Sequence, residues 1–167
     1  MTAHPSWLRP AEALLTRLVQ TLAVLASVVM VASMLIGVFF RYVLQDSLSW
    51  TDEIALLSFS WMVFLTAALA VRDNGHVRVQ VIDAWLPGAA GRLLWLAIRL
   101  AVALVGLYMA WTGLQFVALT AGQTSPAVRY PLWLRDSALP VSGVLIALYA
   151  LLGMPRPAPP AGEGQPS

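Results

Sequence analysis

The chain has no cysteine, which excludes disulfides, thiolate metal sites and cysteine nucleophiles together. It has no lysine either: all ten basic residues are arginine. With the abundance of Ala, Leu, Val, Gly and Pro, this reads as the bias of a GC-rich bacterial genome rather than as chemistry. Histidine occurs only as His4 and His76, both outside the apolar stretches, so haem held between membrane helices would lack its inward ligands. Charge is the main scarcity. Charged residues make up 11% of the 167 and hydrophobic ones 59%, whereas a soluble domain carries about 25% and about 45–50%. The mean hydropathy is +0.76. So little charge cannot cover a water-facing surface, and the class is an all-α integral membrane protein of one helical unit. The pI near 9.5 rests on a net charge of only +2. It therefore gives no argument for nucleic acid, and contact with membrane lipids accounts for it.

What the chain does have is four long apolar stretches, near 18–40, 54–71, 93–119 and 131–152. A span needs about 20 such residues. Residues 1–17 form a lead whose Trp7, Arg9 and Arg17 suit a headgroup layer. The first stretch is too long for the apolar region of a signal peptide and has no small-residue cleavage site after it, so it is expected to be retained. Ser33 and Gly37 offer a small-residue face to another helix. Ser49 or Thr51 can cap the second helix, with Asp52 and Glu53 in its first turn, where the helix dipole favours carboxylates. Trp61 and Phe64 read as packing residues. After Val71, Gly75 is expected to end the second helix, leaving a short interfacial segment that is broken at Pro87-Gly88 before the third span. Arg99, near the start of that span, can snorkel. Pro140 is expected to kink the fourth span, and the Pro- and Gly-rich tail 153–167 to be disordered.

Arginine distribution predicts the orientation. With the N-terminus inside, Arg9, Arg17, Arg72, Arg78, Arg92 and Arg156 are cytoplasmic and Arg99 is near that edge, while Arg41, Arg129 and Arg135 are outside. This asymmetry places both termini in the cytoplasm. No stretch carries a nucleophile with a base, a metal cluster or a carboxylate near its middle, so neither an enzyme nor a self-sufficient transport site is expected. The charges cluster instead at the two ends of the second span. Residue physics alone leaves their roles open, because Asp52 and Glu53 could be a helix cap, Arg41 an interfacial anchor and Arg72–Arg78 a solvated inner loop.

The order of these motifs resembles a known family. Arg41-Tyr42 closes the first span, and Leu48-Ser49-Trp50 with Asp52-Glu53 opens the second. Arg72-Asp73-Asn74-Gly75-His76-Val77-Arg78-Val79 follows it, and Pro131, Trp133 and Leu139-Pro140 mark the fourth. Together they are similar to the small, Q-type membrane subunit of tripartite ATP-independent periplasmic (TRAP) transporters, over about residues 18–152. Arg135-Asp136 departs from the family pattern and marks a possible partner contact. The resemblance implies a four-helix subunit of the bacterial inner membrane without a cofactor. It would be paired with a large multi-span membrane subunit that carries the substrate and sodium sites. A periplasmic substrate-binding protein would deliver an organic acid, such as a carboxylate. The small subunit would serve as a scaffold and as part of the docking surface. Arg41, Tyr42, Trp50, Asp52 and Glu53 would then order the first outer loop and face a partner, and Arg72, Gly75, His76 and Arg78 would shape the cytoplasmic connection. Two other classes are compatible with the composition: a small homodimeric multidrug exporter, and a membrane anchor of a redox complex.

Overall fold

A computed structural model of the chain describes residues 8–85 and 89–152, with the side chains of 12–72, 91 and 93–151. The elements are helices α1 (Leu8–Tyr42), α2 (Ser49–Trp85), α3 (Ala89–Thr120), the single turn α4 (Trp133–Asp136) and α5 (Ala138–Leu152). Among the described residues four stretches are long and apolar enough to cross a membrane: Glu12–Tyr42, Ser49–Arg72, Leu93–Thr120 and Trp133–Leu151. The class is all-α, as expected. The lead before Leu8 and the tail from 153 lie outside the described residues.

The helices pack in pairs, α1 along α2 and α3 along α5, with α2 joined to α5. Among the described residues no Cα of α1 comes within 8 Å of α3, so these two helices form opposite edges. The core lies between them, where Val19 and Ala23 of α1, Leu65 and Ala68 of α2, and Leu145, Ile146 and Tyr149 of α5 meet. The fourth span is the enclosed one: 56% of its apolar 18-residue stretch is buried, against 17–22% for the corresponding stretches of the other three. Large apolar side chains such as Leu25, Leu35, Leu104 and Leu119 point outward, as lipid or a partner in the bilayer requires. The α3–α5 contact is built from small residues. A Cβ on Gly143 would stand 2.6 Å from the Ala110 nitrogen, and one on Gly106 2.7 Å from the Ala147 nitrogen. Only glycine lets these two backbones touch.

Two expected breaks fall elsewhere. α2 does not end at Gly75 but continues to Trp85, so the stretch expected to lie apart as an interfacial segment is continuous with the second helix. An isolated glycine costs a helix only about 1 kcal/mol relative to alanine, and the first obligatory breaker is Pro87. The Pro140 kink appears one turn earlier, as the interruption at Ser137 between α4 and α5. Proline has no N–H for the carbonyl of Asp136 and its ring crowds that carbonyl. The small-residue face expected on α1 does receive a neighbour: Ser33 is buried, and a Cβ on Gly37 would meet Thr51 Oγ1 at 2.7 Å.

Candidate functional site

The polar side chains collect at the end where the two loops 43–48 and 121–132 lie side by side. α1 finishes in a wide turn. Gln45 takes a left-handed φ of 56°, its side-chain nitrogen donates to the Tyr42 carbonyl at 3.0 Å, and the Asp46 amide reaches back to Phe40 at 3.1 Å. Arg41 then pairs with Asp52 of α2 at 3.3 Å, both side chains being more than half exposed. Thr51 does not act as a cap acceptor. Its hydroxyl donates to the Leu48 carbonyl at 2.7 Å, and the side chain is buried against Gly37. Tyr42 and Trp50 are exposed beside this junction.

Glu53 has a different role from the one expected for it. Its carboxylate turns away from the first loop and grips the second. One oxygen accepts from Ser125 Oγ at 2.6 Å and the Val128 amide at 2.8 Å, and the other accepts from the Ala127 amide at 2.8 Å. The loop it grips is a small hairpin. Ser125 N–H donates to the Tyr130 carbonyl at 2.9 Å and Leu132 N–H to the Gln123 carbonyl at 3.0 Å, while Arg129 supplies the left-handed residue, φ 60°, that turns the chain. The Ala127 and Val128 amides point the same way and need an acceptor, and a carboxylate makes the stronger, charge-assisted bond. Burial pushes the Tyr130 phenol above its ordinary range, helped by the negative charges of Glu53 and Asp136 and opposed by Arg135, so the phenol stays protonated.

The hairpin leads into α4. Trp61, in the body of α2, donates its indole N–H to the Leu134 carbonyl at 3.0 Å, and that carbonyl also accepts from Ser137 Oγ at 2.9 Å. Trp61 therefore holds the helix break as well as packing. Arg135 and Asp136 pair at 2.9 Å; the aspartate side chain is only 4% exposed, and its second carboxylate oxygen has no partner among the described residues.

The structure thus gathers Arg41, Tyr42, Trp50, Asp52 and Glu53 at one end, with Arg135 and Asp136 at the start of the fourth span. It places Arg72, Gly75, His76 and Arg78 far along α2. Arg72 takes part in an interaction there; the side chains of His76 and Arg78 lie outside the described residues. Near that far end Thr16 Oγ1 and Tyr149 Oη stand 3.4 Å apart. Arg99 stacks on Trp95 at 5.1 Å and donates to the Ala150 carbonyl at 2.6 Å, binding the last turn of α5 instead of snorkelling freely. Among the described residues no group of three or more His, Asp or Glu could hold a metal ion.

Ser125 and Trp61 were the members of this polar cluster least visible in sequence. An indole N–H at bilayer depth gains from an acceptor, and that is the only signal the sequence offers for Trp61. Nothing local pairs Glu53 with residues 125–128.

Comparison with known proteins agrees with this architecture. The family profile described as "Tripartite ATP-independent periplasmic transporters, DctQ component" matches residues 30–157. The isethionate TRAP transporter permease protein DctMQ of Oleidesulfovibrio alaskensis is 30% identical over 104 residues, which are 61% of this chain and 16% of that protein. The sialic acid TRAP transporter small permease protein SiaQ of Vibrio cholerae is 28% identical over 138 residues, 78% of this chain and 75% of that one. The C4-dicarboxylate TRAP transporter small permease protein DctQ of Rhodobacter capsulatus is 32% identical over 102 residues, 60% of this chain and 45% of its own length. These relatives are transporter subunits, not enzymes, and favour neither the exporter nor the redox-anchor alternative. With the profile covering most of its length and four apolar helices to cross the bilayer, the chain belongs to the DctQ family of TRAP transporter small permease subunits, as a multi-pass inner-membrane protein.

Proposed function

We propose that this subunit is the fixed membrane scaffold of a sodium-coupled, binding-protein-dependent importer of organic acids. A large multi-span subunit would carry the substrate and sodium sites and move against it, and a periplasmic substrate-binding protein would dock on the end that bears the two loops. Arginine asymmetry supports this orientation, with both termini cytoplasmic and Arg41, Arg129 and Arg135 outside. The printed substrates of the relatives, isethionate, sialic acid and C4-dicarboxylates, are all organic anions, which supports the substrate class.

The observation that carries the scaffold reading is the Glu53 latch. It locks the 125–128 segment to α2 through three hydrogen bonds, making a preorganised outer surface out of what would otherwise be a free loop. The spans beneath it have their Asp, Glu and Arg side chains toward their ends rather than at mid-depth, where a transport site would need them. Arg41, Tyr42, Trp50, Asp52 and Arg135 complete that outer surface, with the buried Asp136 holding Arg135 from beneath. Arg72, Gly75, His76 and Arg78 shape the cytoplasmic continuation of α2.

Co-purification tests the reading. The tagged chain, extracted in mild detergent, is expected to bring down a stoichiometric large membrane protein. That complex, reconstituted with a binding protein, is expected to take up an organic acid only when a sodium gradient is imposed. A chain that runs alone or as a homodimer would remove the basis of the scaffold assignment.

A further inference from the structure

The two edge helices differ in what they present to their surroundings. The face of α3 turned to α5 is made of Ala103, Gly106, Ala110 and Gly113. On the opposite face Leu104, Tyr108, Trp111, Gln115 and Leu119 recur at helical spacing, and all are exposed, Tyr108 by 70% and Trp111 by 65%. At about 1.5 Å per residue, Tyr108 is about 18 Å from the Thr120 end of its span and about 22 Å from the Leu93 end. It is therefore near the bilayer centre and not in the interfacial layer where tyrosine and tryptophan normally sit. Trp111 and Gln115 follow it toward the loop-bearing end and are still inside the span.

Elsewhere in the spans most hydroxyls are satisfied locally, although the buried Trp95 indole N–H and one Asp136 carboxylate oxygen have no partner among the described residues. The hydroxyls of Thr21, Ser27, Ser60, Thr66, Thr112 and Thr120 each donate to a carbonyl one turn back. A phenol or an indole N–H projects too far from its own backbone to do this. Tyr108, Trp111 and Gln115 have no side-chain hydrogen bond to any described residue. Hydrocarbon offers none either, and an unmatched polar group there is unfavourable. By contrast, the outward side chains of α1 include Leu22, Leu25, Val28, Leu35 and Val38, and those of α5 include Val141, Val144 and Leu151. Those surfaces suit lipid chains.

We infer that the Tyr108–Trp111–Gln115 stripe of α3 is the seat of a transmembrane helix of the large membrane subunit. That helix would offer acceptors to the phenol and the indole and a donor or acceptor to the carboxamide. This rests on the scaffold reading above. A partner of another kind is favoured over a second copy of this chain because the DctMQ relative carries the matching stretch as 16% of a much longer single polypeptide. Aromatic side chains are also the usual anchors of a contact whose centre excludes solvent. The stripe commits the large subunit to the α3 edge and leaves the α1 edge to lipid.

The test uses the full chain co-expressed with the large membrane subunit of its own transporter. A benzophenone amino acid is placed in turn at Tyr108, Gln115, Leu25 and Val144 and photo-activated in the membrane. Cross-links to the large subunit are expected from the first two sites and not from the last two. Cross-links from Leu25 alone, or from Tyr108 only to a second copy or to lipid while the complex still co-purifies, overturn the inference and leave the scaffold reading standing. Failure of the unmodified chain to co-purify overturns the scaffold reading, and this one with it. Independently, Tyr108→Phe with Gln115→Leu keeps the apolar surface and removes the polar tips. Interhelical hydrogen bonds in bilayers are worth about threefold each in affinity. The recovered large subunit is therefore expected to fall by about tenfold, with the helix content unchanged. Undiminished recovery contradicts the assignment.

Discussion

The two loops that share one end of the molecule are held by different means. Loop 43–48 is short, and its ties are local: the Arg41–Asp52 pair at 3.3 Å, the Thr51–Leu48 bond and the turn at Gln45. Loop 121–132 is longer and is held from a distance, by Glu53 across more than seventy residues of sequence. Asp52 and Glu53 are neighbours with the same charge, yet one makes an exposed ion pair with its own hairpin and the other joins the two helix pairs. The difference lies in what the partners lack. Arg41 would be well solvated without Asp52, whereas two backbone amides of the hairpin would lose their acceptor without Glu53.

The largest disturbance of this contrast is expected from below the loops. Gly143→Leu drives a side chain into the Ala110 backbone, and overpacking of this kind costs about 1–3 kcal/mol or more. It should part α3 from α5, carry 121–132 away from Glu53 and leave loop 43–48 in place. Thermal unfolding in detergent, with cysteine labelling at each loop, would show this; the absence of native cysteine makes single reporters clean. The next largest effect is expected from Glu53→Ala. Hydrogen exchange at the Ala127 and Val128 amides should lose its protection, and a Val128→Cys reporter should label faster, with no change at a reporter placed at Leu44. Glu53→Gln should have a smaller effect than Glu53→Ala: one oxygen still accepts, while the NH2 faces donors it cannot pair with. Asp52→Asn should change least, by less than about 1 kcal/mol in stability, the size of an exposed ion pair. An Asp52 effect as large as that of Glu53→Ala would erase the distinction between the loops.

Much of the fold was legible in the chain itself. Four apolar runs marked the helices, and the breaks between the runs marked where the loops lie. The Arg41 and Asp52 positions flank one hairpin, so their pairing follows from proximity. What could not be read was set by tertiary neighbours. Gly75 looks like a stop signal, but α2 continues because no proline or competing cap follows until Pro87. Gly106 and Gly143 look like ordinary small residues until α3 and α5 are brought together. Glu53 reads as a dipole-friendly residue in a first turn, and only the arrival of 125–128 gives its carboxylate three donors. Trp61 reads as packing until the break at Ser137 brings the Leu134 carbonyl within reach.

The most direct measurement is uptake by the reconstituted complex, containing either the unaltered chain or Glu53→Ala, with the exchange rates of the Ala127 and Val128 amides read on the same samples. A preorganised outer surface predicts that the Glu53→Ala complex assembles in full, exposes those amides and loses most of its binding-protein-dependent uptake. Full uptake from a complex whose 121–132 loop has demonstrably been released would contradict it.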